Sequence, residues 1–269
     1  MQQETNIKRL GRSDLKEFFK NGKIPSENHY AALIESMINQ QDDGFSKDDD
    51  EGFVIASGGD SDRLVSFYKN MDAIKPFFTI KKDDDSIAGL CFQPLNESAI
   101  SEDSQDISSH VFFHNNGTVG IGKKSDNKYK VDINGFVAAE GRIGTYKDLK
   151  IGNNVPANGK WHPITGELDN CQAFEVIART GVKNSRKFAM THAIAVKAFG
   201  KSRGKVRMVS AHYGFLWNRI SVKWILNKEN EKFTLNIRTH RHYGNDVNIY
   251  FQITKLWDDA MFLPDNYYY

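Results

Sequence analysis

The last third of the chain alternates. Ile220, Val222, Trp224 and Leu226 recur at every second position, as do Phe233, Leu235 and Ile237, and again Val247, Ile249, Phe251 and Ile253. Successive strand residues point to opposite faces, so such runs bury one face only as part of a sheet. Six candidate strands cover 172–180, 187–199, 205–213, 218–226, 232–239 and 247–257, separated by the turn clusters GVKNSR, GKSRG, NKENE and YGND. Their spacing predicts an antiparallel β-sandwich of about six to eight strands over residues 155–269.

The front half differs. Short strand-like pieces, FVIAS, RLVSFYKN, PFFTIKK, IAGLCFQP and SHVFFHNNG, lie between the acidic runs QDDGFSKDDDEG, SGGDSD and KKDDDS. None of these runs has the acidic positions, the central Gly and the final Glu of a calcium loop, so they read as solvated turns. Ahead of them, Ser26 precedes Tyr30, Leu33, Ile34, Met37 and Ile38, a stripe with helical spacing, and a shorter helix is expected over Asp14–Lys20. Two short helices make a poor core, so the stripe needs a partner.

Between the halves lies NNGTVGIGKKSDNKYKVDINGFVAAEGRIGTY, Asn115–Tyr146. A phosphate loop needs G-x-x-x-x-G-K-[ST] followed by a helix whose first amides hold the anion. Here Gly122 is followed by Lys123, Lys124 and Ser125, one residue off, and the continuation is strand-like with an Asn134-Gly135 turn signal. Repetition accounts for the run better. Ile-Gly recurs at Ile121, Ile143 and Ile151, and short glycine-broken strands can bury their apolar faces where three chains wind about one axis.

The formal net charge of +2 hides an asymmetry: residues 1–150 hold 19 Lys and Arg against 25 Asp and Glu, whereas residues 151–269 hold 17 against 9. The basic half spreads its charge over several strands and not along one helix, so no nucleic acid is expected as partner. The apolar runs are too short for a membrane-spanning helix, so no membrane insertion is expected. Charges scattered through the first residues leave no apolar leader core, so no signal peptide is expected. Cys91 and Cys171 form neither a disulfide framework nor a zinc pattern and read as two buried free thiols.

The quoted run resembles the GNVGIGT…YKLDVNG element of phage tail fibres and related adhesins, and the upstream LKEFFKNGKIPSENHYAALIESMINQQDDG resembles the helical lead of the same proteins. Here Lys123-Lys124-Ser125 stands where the usual Thr-Ser-Pro follows the second Ile-Gly. The resemblance implies a mainly β protein with short N-terminal helices (1–45) for attachment or trimerisation, a trimeric β-rich shaft (46–154) and a receptor-binding head (155–269). It implies a homotrimer whose N-terminal segment meets a particle baseplate and whose head meets a cell-surface glycan or protein receptor. The place of action would be the surface of a virion or a phage-derived contractile injection particle assembled in the cytoplasm. Val119, Ile121, Val131, Ile133 and Ile143 would line the trimer stalk. A free lectin-like or toxin-associated adhesin is the alternative.

Some members of that family end in a self-cleaving chaperone with a Ser-Asp pair and a Lys. Ser61, Asp62 and Lys69 lie in the front half and read as a turn before a strand. In the head, Trp161, Tyr213, Trp217 and Tyr243 stack on sugars or pack in the core, and Arg219, Arg238 and Arg241 fork onto an anionic glycan or are solvated. His240 and His242 would share one face of a strand, where a third imidazole, His212 or His192, could complete a metal site. No cofactor and no bound metal are expected. A polysaccharide-degrading fibre would need paired carboxylates, and the head offers Glu167, Asp169 and Glu175 on separate turns or strands, so binding without catalysis is the expected activity.

Overall fold

The computed structural model describes residues 10–58, 60–83, 88–95, 107–126, 128–147, 152–183 and 186–263. Ile87, Ile151 and the acidic Asp84–Ser86 lie outside these. The chain divides into two compact units, Met1–Val137 and Ala138–Tyr269, ahead of the shaft–head boundary expected at 154/155. Both are mainly β.

The first unit opens with α1 (Arg12–Phe18) and α2 (Glu27–Glu35). The Ser26 amide donates to His29 Nδ1 at 3.1 Å, closing the start of α2. Ser36 Oγ turns back to the Ala32 carbonyl at 2.6 Å, so α2 stops before Met37 and Ile38, which the apolar stripe had placed on it. Ala32 is the buried residue of α2, while Tyr30 and Ile34 are exposed. β1 (Phe45–Asp48) pairs with β2 (Gly52–Ile55) inside the first acidic run. Asp48 Oδ1 accepts from the amides of Asp50 and Glu51, which holds its carboxyl below the usual range and makes the run a hairpin turn.

A six-stranded sheet follows in chain order: β3 (Arg63–Phe67), β4 (Phe78–Asp83), β5 (Gly89–Pro94), β6 (Val111–His114), β7 (Val119–Ile121) and β8 (Val131–Ile133). All pairs are antiparallel except β7 with β8. Ser61 Oγ accepts from the Arg63 amide just ahead of β3, the expected turn before a strand.

The faces of this sheet are inverted relative to a soluble monomer. Cross-strand register puts Val65, Ile80, Phe92, Val111, Ile121 and Ile133 in one unbroken row across all six strands. Leu90, Phe113, Val119 and Val131 form a second row beside it, and Phe67, Phe78, Phe92 and Phe113 touch ring to ring at 5.1–6.3 Å. Phe67, Leu90, Phe113, Ile121 and Val131 are nonetheless exposed. The opposite face, with Thr79, Cys91, Gln93, Phe112 and His114, is the buried one. Lys124 covers it, 5.6 Å over the Phe112 ring and 2.7 Å from Asp83, and the Ser125 amide donates to His114 Nε2 at 3.4 Å. Cys91 is buried as expected, and burial pushes its thiol pKa up. The element that follows β7 is the strand β8 and not a helix, so the Gly-rich run lacks the helix N-terminus a phosphate loop needs.

The second unit holds β9 (Asn154–Pro156), β10 (His162–Pro163), β11 (Gln172–Gly181), β12 (Phe188–Lys197), β13 (Lys205–Tyr213), β14 (Ile220–Leu226), β15 (Phe233–Thr239) and β16 (Asn248–Asp258), with α3 (Asp259–Phe262) after them. They form a five-stranded sheet, β13-β12-β11-β16-β9, and a three-stranded sheet, β10-β15-β14, with antiparallel strand pairs. One cluster is shared by both sheets: Phe174, Val176, Ala193 and Ile249 from the first, Ile220, Val222, Leu235 and Ile237 from the second. Alternation located this core, since Phe233, Leu235 and Ile237 are fully buried. The short β9 and β10 carry too few residues to alternate.

The last part of the Gly-rich run belongs to this unit. Thr145 pairs in parallel with Ile253, the Tyr146 amide donates to the Ile253 carbonyl at 2.9 Å, and the Tyr146 ring packs 5.0 Å from Phe174. A Cβ at Gly144 would meet the Ile253 backbone at 2.5 Å, so this Ile-Gly unit exists for close approach to β16. Cys171 is only half-buried, because it lies in the turn before β11, where its amide donates to Asp259 Oδ2 at 3.0 Å.

Candidate functional site

Four loops meet at one end of the second unit: 157–161, the described residues 182–183 and 186–187, 214–219 and 240–247. Hydrogen bonds tie them. The Tyr243 amide donates to the Ala157 carbonyl at 2.9 Å, the Gly159 amide to Thr239 Oγ1 at 3.2 Å, and the His240 amide to the Arg219 carbonyl at 3.0 Å. Gly214 lies against Arg186, whose carbonyl an added Cβ would meet at 2.7 Å. The ligand-binding candidates Trp161, Tyr213, Trp217, Arg219, Arg238, His240, Arg241, His242 and Tyr243 sit here or on the adjoining strand ends.

The β13–β14 loop is a built turn. Asn218 is buried, its Nδ2 donates to the Tyr213 carbonyl at 2.9 Å, and its amide donates to the Phe215 carbonyl at 2.8 Å. With the polar residue turned inward, Phe215, Leu216 and Trp217 point to solvent, 67%, 67% and 59% exposed, beside exposed Tyr213. Scattered single apolar residues on a surface are ordinary, whereas these three are consecutive and, with Tyr213, form one exposed apolar patch on a braced turn. Sequence reasoning found Tyr213 and Trp217 and missed Phe215 and Leu216. The signal was available: a turn between strands that reads GFLWN where polar residues are the rule.

Beside this turn, the outward face of the three-stranded sheet carries cations. Lys223 Nζ lies 4.3 Å and Arg238 Cζ 4.5 Å from the Trp161 ring centroid. Trp161 therefore holds two cations in place and is not an open stacking platform. Ser221, the cross-strand partner of Arg238, shares a 2.6 Å hydrogen bond with His240 Nε2. Burial, reinforced by the charges of Arg238 and Arg219, holds the His240 pKa below the ordinary histidine value. Burial and then Lys160 do the same for His162, which shares a 2.8 Å hydrogen bond with Asn158.

Among the described residues, Arg219, Lys223, Arg238 and Arg241 make no salt bridge, and the buried Arg238 Nε has no hydrogen-bond acceptor. The described residues of the four loops include Lys160, Lys183, Arg186, Lys187, Arg219 and Arg241 against the single carboxylate of Asp246. This end is strongly electropositive, with donors suited to carboxylate, sulfate or phosphate oxygens.

Three placements differ from expectation. Tyr243 is buried at 6% exposure, and that burial pushes its pKa up to about 12, so its ring faces the core and not a ligand. β15 ends at Thr239, so His240 and His242 are not alternate residues of one strand; His242 Nδ1 accepts from the Gly244 amide at 3.1 Å. Nor do His192 and His212 join them: His192 bonds Glu175 at 2.9 Å, and His212 lies on the other face of the five-stranded sheet from His192. No group of three metal-ligating side chains occurs among the described residues. The carboxylates are dispersed: Glu175 is paired with Arg142 and His192, whereas Glu167 accepts from Asn227 and Asn230 at the opposite end of β14 and β15.

No protein-family model, curated protein or solved structure matches the chain.

Proposed function

We propose that the chain is a tail-fibre-like receptor-binding protein: a homotrimer that attaches a phage or phage-derived contractile injection particle to a cell surface. Its N-terminal segment docks on the particle, its first unit forms the trimeric shaft, and the two sheets of the second unit form a β-sandwich head. The head binds a cell-surface glycan without chemistry. The observation that carries the reading is the electropositive end, where a braced apolar turn stands beside uncompensated arginines and Lys223. An exposed indole such as Trp217 stacks on a pyranose face, and adjacent guanidinium groups take acidic substituents.

The trimer is supported by the inverted faces of the first-unit sheet. Val119, Ile121, Val131 and Ile133 belong to its apolar rows. Ile143 is 78% exposed in the second unit. A surface of that kind is stable in water when other chains cover it. Three heads on one shaft then convert weak single contacts into avidity.

The test is a binding screen of the full chain against pairs of polysaccharides that differ only in acidic groups, dextran sulfate against dextran and polygalacturonate against its methyl ester. Acidic members should bind, and Arg238→Ala or Trp217→Ala should weaken binding by about tenfold or more per site. Lys228→Ala, which removes one charge at the opposite end of β14, should leave it unchanged. Equal loss with Lys228→Ala would reduce the effect to net charge and remove the site.

A further inference from the structure

At the end of the second unit opposite the four loops, the two sheets leave a gap. β13 is an edge strand of the five-stranded sheet and β14 an edge strand of the three-stranded sheet, and a recess of about 300 Å³ opens between them. Val206, Val222 and Leu226 give it an apolar wall, and Lys197, Arg203 and Trp224 line the rest. Its volume is at the small end of the roughly 300–1,000 Å³ of ligand sites. The turn between β12 and β13 borders it. Gly204 of that turn lies against the Trp224 indole, where a Cβ would meet Cδ1 at 2.4 Å and Nε1 at 3.1 Å, so glycine is what lets the turn sit directly on the ring.

The donors around this recess lack acceptors. Lys197 is 5% exposed, and its Nζ donates to the carbonyls of Gly200 at 3.2 Å and Ser202 at 2.5 Å and lies 4.5 Å from the Phe233 ring centroid. An ammonium has three protons, so one has no acceptor among the described residues. Two carbonyls and a ring face are not a counter-charge, and a buried cation is ordinarily paired with an anion. Burial accordingly holds the Lys197 pKa below the ordinary lysine value. The Trp224 indole packs edge-to-face with the same Phe233 ring, centroids 5.4 Å apart, and its buried Nε1–H has no hydrogen-bond acceptor. Arg203 is exposed and makes no salt bridge among the described residues, and the carboxylate of Glu231 on the β14–β15 turn is taken by Lys201 at 2.7 Å. A buried ammonium, an orphaned indole N–H and an unpaired guanidinium around one recess suit an oxyanion.

We infer that this recess is a second ligand site, one that takes a small aliphatic carboxylate: its oxygens accept from Trp224 Nε1 and Lys197 Nζ beneath Arg203, and its short apolar body lies along Val206, Val222 and Leu226. Both halves of the lining are needed to define the ligand. A bare inorganic anion would leave the apolar wall uncovered, and a purely apolar guest would strip water from the donors without replacing it. The site stands apart from the electropositive loop end, since Trp217 and Arg238 lie at the other end of the unit, so it does not depend on the glycan reading.

The orphaned indole is its own reporter. In the full chain, the Trp224 indole N–H signal, identified by its loss in Trp224→Phe, should move downfield by NMR and saturate as hexanoate is added. Hexan-1-ol, which keeps the body and drops the charge, should leave it in place, and inorganic phosphate, which keeps the charge and drops the body, should bind at least about tenfold more weakly. Lys197→Met should abolish the shift. Arg203→Glu changes an exposed side chain, so the fold is kept whatever Lys197→Met does, and it should weaken hexanoate by about tenfold or more. A Trp224 signal that no probe moves would overturn the inference and leave a water-filled gap. Equal shifts with hexan-1-ol would reduce the recess to an apolar crevice, tighter binding of phosphate would remove the aliphatic carboxylate, and unchanged affinity in Arg203→Glu would remove the anion site.

Discussion

The Gly-rich run makes a quantitative prediction at Gly120. Gly120 is buried in β7, opposite Phe112, and its backbone lies in an ordinary region. A Cβ there would meet the Lys123 carbonyl oxygen at 2.2 Å and the Ser125 nitrogen at 2.8 Å, both backbone atoms that no rotamer change can move aside. Gly120→Ala must therefore displace the segment that carries Lys124 and Ser125 over the sheet. Overpacking of this kind costs about 1–3 kcal/mol, and straining the Ser125 amide to His114 contact adds about 1 kcal/mol. The first unit should lose about 3 kcal/mol, a fall of roughly 10 °C in its melting temperature. Gly135 is the internal control: nothing lies within 4 Å of its Cβ position and its φ is unremarkable for any residue, so Gly135→Ala should stay within about 0.5 kcal/mol. Gly117 falls between, uncrowded by protein backbone but at φ +76°, where alanine costs about 1 kcal/mol. Differential scanning calorimetry and urea unfolding of the three variants give the order directly. A Gly120→Ala protein as stable as wild type, or a Gly135→Ala protein equally damaged, would refute the close-packing account of these glycines.

Two further predictions concern titration. His162 and His240 both have pKa values held below 6.5 in the fold, so the unfolded chain binds protons first as pH falls, and stability should decline from about pH 6.5 downward. Arg219→Gln or Arg238→Gln should raise the His240 pKa, read from its ring proton shifts by NMR; no movement would separate His240 from the cation cluster. Tyr243, with a folded pKa near 12 against 10.0 unperturbed, should make the second unit lose stability as pH rises above 10. Its buried hydroxyl has no hydrogen-bond partner, so Tyr243→Phe should be neutral or stabilising and should flatten that alkaline loss in unfolding curves taken at successive pH values.

The second-unit core was legible because alternation and burial coincide on β14, β15 and β16: each of these strands has one apolar face and buries it. The site was legible by residue type and not by geometry. Arg238 and Trp161 were visible as an arginine and a tryptophan near strand ends, but only the pairing of β10 with β15 brings them to 4.5 Å with Lys223. Tyr243 misled because a tyrosine after a strand end looks available, whereas its loop folds back so that its amide reaches Ala157. The His240–His242 pair misled for a related reason, since alternation carries no mark of where β15 stops.

Two strands defeat a period-2 reading more deeply, and for one physical cause. Along β12 alanine and threonine alternate with large apolar residues, so both faces look apolar and the pattern cannot say which is inside. Along β6 and β7, Phe112 and Gly120 face the buried side while Phe113, Val119 and Ile121 face outward. Burial in a single chain has a rule that sequence can express, namely large apolar residues inward. Here the rule fails in both units, in each case with the bulkier face left in solvent. If other copies cover the first-unit face as proposed, replacing its exposed Phe113 and Ile121 (Phe113→Asp with Ile121→Asp) should lower the mass of the particle in solution, read by light scattering. An unchanged mass in that variant would show that this face does not hold copies together.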